Sequence, residues 1–229
     1  MGGSVAYVDF YGDGVWISRD STAPYTATWN IATGGAHAVS AIATDDKAAP
    51  SLRAVVNVTV IGGGAPAVTF VGTDTTTRGT WKGVYGTQGY LLVNDGTSLP
   101  AGATVTASGH SSYTWGASSA DVRALQKSAA ADRIAATWYS GGTFTIDVNA
   151  GDTQAHRIGL YVLDWENSPR GQTVEVLDPS TGAVLDTRSI TGFSGGQYWT
   201  WRVSGTFRFR VTRTGGVNAI VSAVFLDPQ

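Results

Sequence analysis

The sequence predicts an all-β protein with two domains. Glycine is abundant, at 30 of 229 residues, and the chain contains one methionine. Glutamate occurs only at Glu166 and Glu175, so good helix formers are scarce. Threonine, serine and valine recur in short alternating segments separated by glycine turns, a pattern that favours strands.

Residues 5–61 divide into short strands with turn signals between them. Residues 5–11 and 15–18 flank Gly12-Asp13-Gly14, which predicts a hairpin. Further strands are predicted at 25–29, 36–44 and 52–61.

A linker is predicted at Gly62-Gly63-Gly64-Ala65-Pro66, because three glycines followed by proline favour an irregular connection. We therefore divide the chain into a domain at 1–61, a linker at 62–66 and a domain at 67–229.

The second domain contains many strand segments joined by glycine-containing turns, which predicts a two-sheet sandwich of the jelly-roll type. Phe207 and Phe209 alternate with outward arginines, while Trp199 and Trp201 alternate with an outward Tyr198. Residues 121–131 are the one stretch with helical character, and we expect a short helix there. The predicted strands are 68–72, 90–94, 104–107, 134–139, 143–148, 157–164, 173–177, 183–189, 197–203, 206–213 and 219–226.

Charge and composition exclude several classes of function. Lys and Arg number 15 against 17 Asp and Glu, with no basic stripe for nucleic acid. No apolar run approaches the roughly 20 residues that span a bilayer, so no membrane partner is expected. The chain has no cysteine, which excludes disulfides and thiolate metal sites and suits a bacterial extracellular protein.

Three phrases near the N-terminus, at 8–14, 23–29 and 35–45, resemble the bacterial Ig-like domain that serves as a spacer in secreted multimodular proteins. The resemblance implies that Tyr25 and Trp29 pack the sandwich and that Asp45 turns the chain. The first two strands of the family are absent, so we expect a partial Ig-like sandwich with an open apolar face. Such a face would pack on the second domain or self-associate.

Residues 67–229 resemble the C-terminal β-sandwich modules of secreted bacterial polysaccharide-active proteins. The resemblance implies carbohydrate binding, an extracellular location and an attached catalytic domain in the native full-length protein. The phrases that carry it are 80–86, 125–126, 133–139, 156–165, 176–178 and 181–182.

The stretch 80–90 places Trp81, Lys82 and Tyr85 between closely spaced glycines. Sugars stack their C–H faces on aromatic rings, and a glycine-broken backbone can present such rings at a surface. Exposed rings would form a sugar platform with Lys82 as a polar contact. The same segment could instead be a structural corner with its rings buried.

Two other places carry aromatic residues at a loop or strand end. Trp115 follows a Ser/Thr segment, and Trp165 precedes a turn that Asp164 and Arg170 bracket. The two tryptophans are candidate stacking platforms. Asp164 and Arg170 are either hydrogen-bonding groups beside Trp165 or a structural ion pair that holds the turn.

Asp74 and Asp227 lie near the two ends of the second domain. If the terminal strands were adjacent, these carboxylates could share a structural Ca²⁺, since calcium prefers oxygen ligands at such corners.

The sequence offers little support for catalysis. Gly192-Phe193-Ser194-Gly195-Gly196 fits the G-x-S-x-G pattern but lies in a turn between strands, without the required strand-to-helix elbow. Asp164 and Glu166 sit at a turn with nothing to mark one of them as buried, as a glycosidase would need. We therefore predict a protein that is not an enzyme.

The resulting prediction is a carbohydrate-binding module with an Ig-like spacer. Residues 67–229 carry 12 basic residues (ten Arg and two Lys) and 12 acidic residues (ten Asp and two Glu), which favours a neutral polysaccharide. The alternatives are a pair of structural or adhesive sandwiches without a sugar site, and a small glycoside hydrolase or lyase.

Overall fold

The computed structural model describes residues 3–31, 35–60 and 67–229. The chain forms two compact units, residues 1–63 and 64–229. All regular secondary-structure elements in the described ranges are β-strands, which confirms the predicted all-β class. In these ranges we find no helix with the length and apolar character needed to cross a bilayer. The predicted linker at 62–66 lies outside the described residues.

The first unit contains one antiparallel sheet with the strand order β2-β1-β3-β4. The indole of Trp29 packs so closely over Gly12 of β1 that a Cβ atom at this position would have no room. Asp45 accepts hydrogen bonds from the backbone N–H groups of Lys47 and Ala49, so it turns the chain as expected. Residues 25–29, predicted as a strand, belong to none. The strands are β1 (Val5–Gly12), β2 (Val15–Asp20), β3 (Gly35–Asp45) and β4 (Ala54–Val60).

Apolar side chains of this first sheet remain open to solvent. Val39 of β3 pairs with Val56 of β4, and Val56 is 62% exposed. Val55 and Trp16 are each 56% exposed. These exposures fit the expected partial sandwich, whereas self-association through it stays a prediction.

The second unit contains two large antiparallel sheets. One has the order β5-β16-β13-β19-β6-β7 and the other has the order β15-β14-β17-β12-β8. The strands of the six-stranded sheet are β5 (Ala67–Asp74), β6 (Gly89–Leu92), β7 (Thr97–Ser98), β13 (Ala155–Val162), β16 (Gln197–Ser204) and β19 (Ala223–Pro228). The strands of the five-stranded sheet are β8 (Thr104–Ser108), β12 (Thr143–Asn149), β14 (Gly171–Leu177), β15 (Val184–Thr191) and β17 (Thr206–Gly215).

The two large sheets pack face to face around the main core of this unit. Trp201 of β16 meets Phe209 of β17 with ring centroids 5.1 Å apart, and both side chains are fully buried. The predicted core positions Phe207 and Trp199 are also buried, which confirms the alternation. The arrangement is the β-sandwich that the sequence predicted.

A second apolar cluster covers the outer face of the six-stranded sheet, and we call it the outer core. Tyr198, predicted to face solvent, is fully buried there, so that prediction is wrong. The side chain does point away from the main core, but another layer of chain lies over it. The outer core comprises Trp81, Tyr85, Leu92, Leu125, Tyr161, Leu163, Tyr198, Ala223 and Phe225.

A smaller sheet completes the second unit. It has the order β10-β11-β18, and β9 also pairs with β11. Residues 121–131 form turns and the short strand β10 rather than the expected helix, because backbone bonds tie them to other segments: Gln126 N–H donates to the carbonyl of Gly79. The strands are β9 (Ser111–Ser119), β10 (Leu125–Gln126), β11 (Arg133–Ser140) and β18 (Ala219–Val221).

Candidate ligand-binding cavity

A cavity of about 370 Å³ opens over the small sheet, and we call it the aromatic cavity. Strands β9 and β11 supply one wall, because their register places Tyr113 opposite Thr137 and alternate residues share a face. Tyr139 follows on the same face of β11. The cavity is lined by Tyr113, Trp115, Thr137, Tyr139, Glu166, Ser168, Arg170, Val217 and Asn218.

Three aromatic rings line this cavity. Tyr113 is 53% exposed, while Trp115 and Tyr139 are half-buried. The rings of Tyr113 and Trp115 meet edge to face, with centroids 5.9 Å apart and planes at 78°. Such a contact favours this mutual orientation of the two rings, and the wall can therefore present them to a flat apolar surface.

The floor of the aromatic cavity is a buried arginine with acceptors on three sides. Arg170 is 3% exposed, and one terminal nitrogen donates to buried Asp164. Its Nη2 donates to Glu166 Oε2 at 2.8 Å, and its Nε donates to Asn218 Oδ1 at 2.9 Å. The guanidinium carbon lies 5.6 Å from the ring centre of Trp115. The network therefore couples the aromatic wall to the polar floor.

The 164–170 loop is held by the same aspartate. The backbone N–H of Ser168 donates to Asp164 Oδ1, and that of Asn167 donates to the Asp164 carbonyl. Asn167 adopts a left-handed conformation with φ of 54°, which asparagine tolerates better than most residues. Asp164 and Arg170 thus form the structural ion pair that the sequence left open, and Arg170 also lines the cavity.

Glu166 is ionised at neutral pH. The hydrogen bond from Arg170 is the largest influence and lowers the pKa of Glu166; burial opposes it, and the indole of Trp115 lowers it further. The side chain of Glu166 is 50% exposed, whereas that of Asp164 is 4% exposed. The outer carboxylate is therefore the one that a ligand can reach.

A second cavity of about 300 Å³ shares the 164–170 loop. Alternate loop residues, Asn167 and Pro169, line it together with Asp164 and Arg170, while Glu166 does not. Its other lining residues are Gly171, Thr191, Gly192, Ser194, Thr214 and Gly215. None of these described lining residues is aromatic, so they provide no stacking surface like that of the aromatic cavity.

Trp81 and Tyr85 correct the expectation of exposed platforms in the glycine loop. They are 4% and 7% exposed and belong to the outer core. Trp81 donates its indole N–H to the carbonyl of Gln126, and Tyr85 stacks on Tyr198 with centroids 4.0 Å apart. The segment is the structural corner that the sequence allowed as its alternative reading, and its rings are closed to a glycan.

Lys82 and Trp165 also lie outside the lining of the aromatic cavity. Lys82 is exposed, and its Nζ donates to the carbonyl of Ser128. Trp165 is half-buried against the outer core, with the guanidinium carbon of Arg123 4.7 Å from its ring centre. Of the seven predicted ligand-binding residues, Trp115 and Arg170 therefore line the aromatic cavity, and Asp164 supports Arg170 from behind.

Several lining residues were missed by the sequence reasoning. Tyr139 and Thr137 share a face of β11 by simple alternation, but nothing in the sequence indicated that β9 lies beside them. Glu166 was considered only as a catalytic carboxylate. Asn218 comes from a distant turn and carried no signal.

The proposed calcium pair is not supported by the sheet order. Asp74 ends the edge strand β5, whereas Asp227 lies on β19, three strands away. Three strand spacings of about 4.8 Å keep them on the order of 14 Å apart. The carboxylate of Asp74 instead accepts hydrogen bonds from the backbone N–H groups of Thr76 and Thr77 and from the hydroxyl of Tyr85. The condition on which a shared calcium site depended, adjacent terminal strands, is therefore not met.

Asp227 also has a role within the protein. Its Oδ1 accepts hydrogen bonds from the backbone and hydroxyl of Thr87, and its Oδ2 lies 3.7 Å from Arg157 Nη2. Across residues 3–31, 35–60 and 67–229, no cluster of three or more His, Asp or Glu side chains is placed to hold a metal ion.

The solved structures that resemble this chain share little sequence with it. A calcium-binding mutant of Bacteroides uniformis β-glucuronidase 2 has a TM-score of 0.38 and 12% identity, over 98% of this chain and 26% of that one. This chain thus spans about a quarter of that enzyme's length.

Two further matches include carbohydrate-binding modules. A module from a study of promiscuous specificity in the β-sandwich superfamily has a TM-score of 0.26 and 12% identity, over 98% of this chain and 84% of that one. A Clostridium perfringens ZmpB structure that contains CBM51-2 in complex with GlcNAc, and INT domains, has a TM-score of 0.30 and 11% identity, over 87% of this chain and 39% of that one.

Sequence comparison is informative for the N-terminal part alone. No curated protein matches the chain. The family model described as a bacterial Ig domain, Big_7, matches residues 2–41, which confirms the Ig-like resemblance of the N-terminal part.

Proposed function

We propose that residues 67–229 form a non-catalytic carbohydrate-binding module that binds a neutral polysaccharide outside the cell, with the Ig-like unit as its spacer. The observation that carries this proposal is the aromatic cavity. Tyr113, Trp115 and Tyr139 offer ring surface for the C–H face of a sugar, and Glu166, Ser168 and Asn218 offer hydrogen-bonding groups for hydroxyls.

The electrostatics of the cavity favour binding over hydrolysis. A glycosidase needs one carboxylic acid with a raised pKa to protonate the leaving group. Glu166 has the opposite environment, since Arg170 lowers its pKa. Asp164 is buried behind the same arginine. Asp164 and Glu166 both pair with the guanidinium of Arg170. They therefore act as hydrogen-bond acceptors rather than as the acid and the nucleophile of a glycosidase.

Affinity gel electrophoresis of the full chain in soluble galactan, glucomannan, xyloglucan, xylan and mixed-linkage β-glucan tests the proposal. We expect one glycan to retard the wild-type protein and Trp115→Ala to lose at least about tenfold in affinity, since central aromatic anchors dominate such interfaces. Trp16→Ala is the matched control, because Trp16 is exposed in the first unit.

Three results would count against the proposal. Retardation unchanged in Trp115→Ala would place any glycan site elsewhere. The absence of retardation by every glycan would favour the alternative of structural or adhesive sandwiches. Release of reducing sugar from any of these glycans would instead indicate a hydrolase.

A further inference from the structure

The aromatic cavity holds one more negative charge than its ion pairing requires. Arg170 and Asp164 are each 3% exposed and neutralise one another in the floor. Glu166 adds a second carboxylate to the same guanidinium. Of the nine lining residues, only Glu166 and Arg170 carry charge. The surplus negative charge therefore lies on Glu166, at the half-exposed edge of the cavity.

Glu166 also occupies the outward side of Arg170. An arginine beside an aromatic ring is otherwise well suited to bind a carboxylate with two parallel hydrogen bonds. Here Nη1, Nη2 and Nε already donate to Asp164, Glu166 and Asn218. A ligand carboxylate would therefore find three of the five guanidinium N–H groups already engaged, and it would meet the like charge of Glu166 on approach.

We infer that Glu166 is a specificity-determining residue that excludes acidic sugars, such as uronic acids, from the aromatic cavity. This inference rests on the proposed function. A neutral sugar can donate its hydroxyl hydrogens to the outer carboxylate, which accepts at both oxygens. A uronic acid carries a carboxylate in place of the C6 hydroxyl, so at that position it loses the interaction and is repelled. One side chain can thus attract the neutral sugar and reject the acidic one.

The test uses one glycan in two charge states. Whichever hexose glycan of the panel binds best (galactan, glucomannan or mixed-linkage β-glucan) is oxidised at its C6 hydroxyls to carboxylates. Isothermal titration calorimetry then compares both forms with wild-type protein and Glu166→Gln. Glutamine keeps an oxygen for Arg170 and removes the charge. Glu175→Gln is the matched control, since Glu175 pairs with Arg210 outside the cavity.

We expect oxidation to weaken wild-type binding by about tenfold or more at low salt, the size of one close charge repulsion at a surface. Glu166→Gln should bind the two forms within about threefold, and Glu175→Gln should behave as wild type. Carboxyl reduction of the oxidised glycan should restore wild-type binding.

The outcomes separate the inference from the proposed function. If wild type binds both charge states equally, or if Glu166→Gln still rejects the oxidised form as strongly as wild type does, the role of Glu166 is wrong while carbohydrate binding stands. If no neutral glycan binds any variant, the proposed function itself fails, and the inference fails with it.

Discussion

Two groups of aromatic residues in the second unit each contain a tryptophan that the sequence predicted as a stacking platform. In the structure one group is buried and the other remains partly exposed to solvent. The glycine-rich segment 80–90 buries Trp81 and Tyr85 in the outer core. Strand β9 instead leaves Tyr113 53% exposed and Trp115 half-buried in the cavity wall. Exposure of a ring thus follows from what lies across it rather than from the residues on either side.

The physical reason lies in the surface that each segment meets. Segment 80–90 crosses the outer face of the six-stranded sheet, where Tyr161, Tyr198 and Phe225 already present apolar area. Burying those rings together removes a large apolar surface from water. On the cavity side of β9, the rings instead share their surroundings with the polar side chains of Glu166, Ser168 and Asn218, and they keep an open face.

The largest expected effect on stability comes from Trp81→Ala, which removes a ring from the buried aromatic residues of segment 80–90. It loses contact with Tyr90 and Phe225 and the hydrogen bond to the carbonyl of Gln126. Truncating a buried tryptophan costs about 3–5 kcal/mol, so the free energy of unfolding in urea should fall by that amount. The neighbouring Lys82→Ala, at an exposed side chain, should change it by less than about 0.5 kcal/mol. Comparable small effects from both variants would mean that the outer core does not hold this segment.

The fold could be predicted wherever local alternation decides burial. Phe207 and Phe209 were placed in the core correctly because each strand has one face toward the other sheet. Tyr198 was placed wrongly because its cover comes from a segment more than 100 residues earlier in the chain, and alternation carries no information about such a layer. The same limit explains the calcium prediction, since strand adjacency is a property of the whole sheet.

The candidate site was predictable in part for the same reason. Trp115 and Arg170 carried local signals, an aromatic ring in a Ser/Thr-rich strand and a charged residue at a turn. Tyr139 and Asn218 become part of the cavity only when β9, β11 and the turn before β18 come together. The role of Glu166 required the burial of Arg170, which no sequence pattern expresses.

A moderate effect is expected at the link between Tyr85 and Asp74. The Tyr85 hydroxyl donates to Asp74 Oδ2 at 3.0 Å, so Tyr85→Phe should cost about 2 kcal/mol, the usual range for a hydrogen bond to a charged group. Burial would raise the pKa of Asp74, but hydrogen bonds from Thr77 and Thr76 outweigh burial and hold that pKa well below 3.8.

The lowered pKa of Asp74 gives this link a pH dependence of definite sign. The aspartate stabilises the fold fully above its unfolded value of 3.8, and the stabilisation decreases as the pH falls toward the lower folded value. The difference in unfolding free energy between wild type and Asp74→Asn should therefore be constant from about pH 7 to 5 and shrink below about pH 4. A difference that grows on acidification would contradict the assigned environment.

The smallest effect on stability is expected from Tyr113→Ala, among the partly exposed aromatic residues of β9. Because Tyr113 is 53% exposed and meets Trp115 only edge to face, its removal should change the unfolding free energy by less than about 1 kcal/mol. The same variant should still lose at least about fivefold in affinity for the glycan that retards wild type, since the ring forms the outer part of the wall. Urea unfolding and calorimetric titration of one preparation measure both quantities. A large loss of stability without a change in affinity would place Tyr113 with the buried rings, and the distinction between the two aromatic groups would not hold.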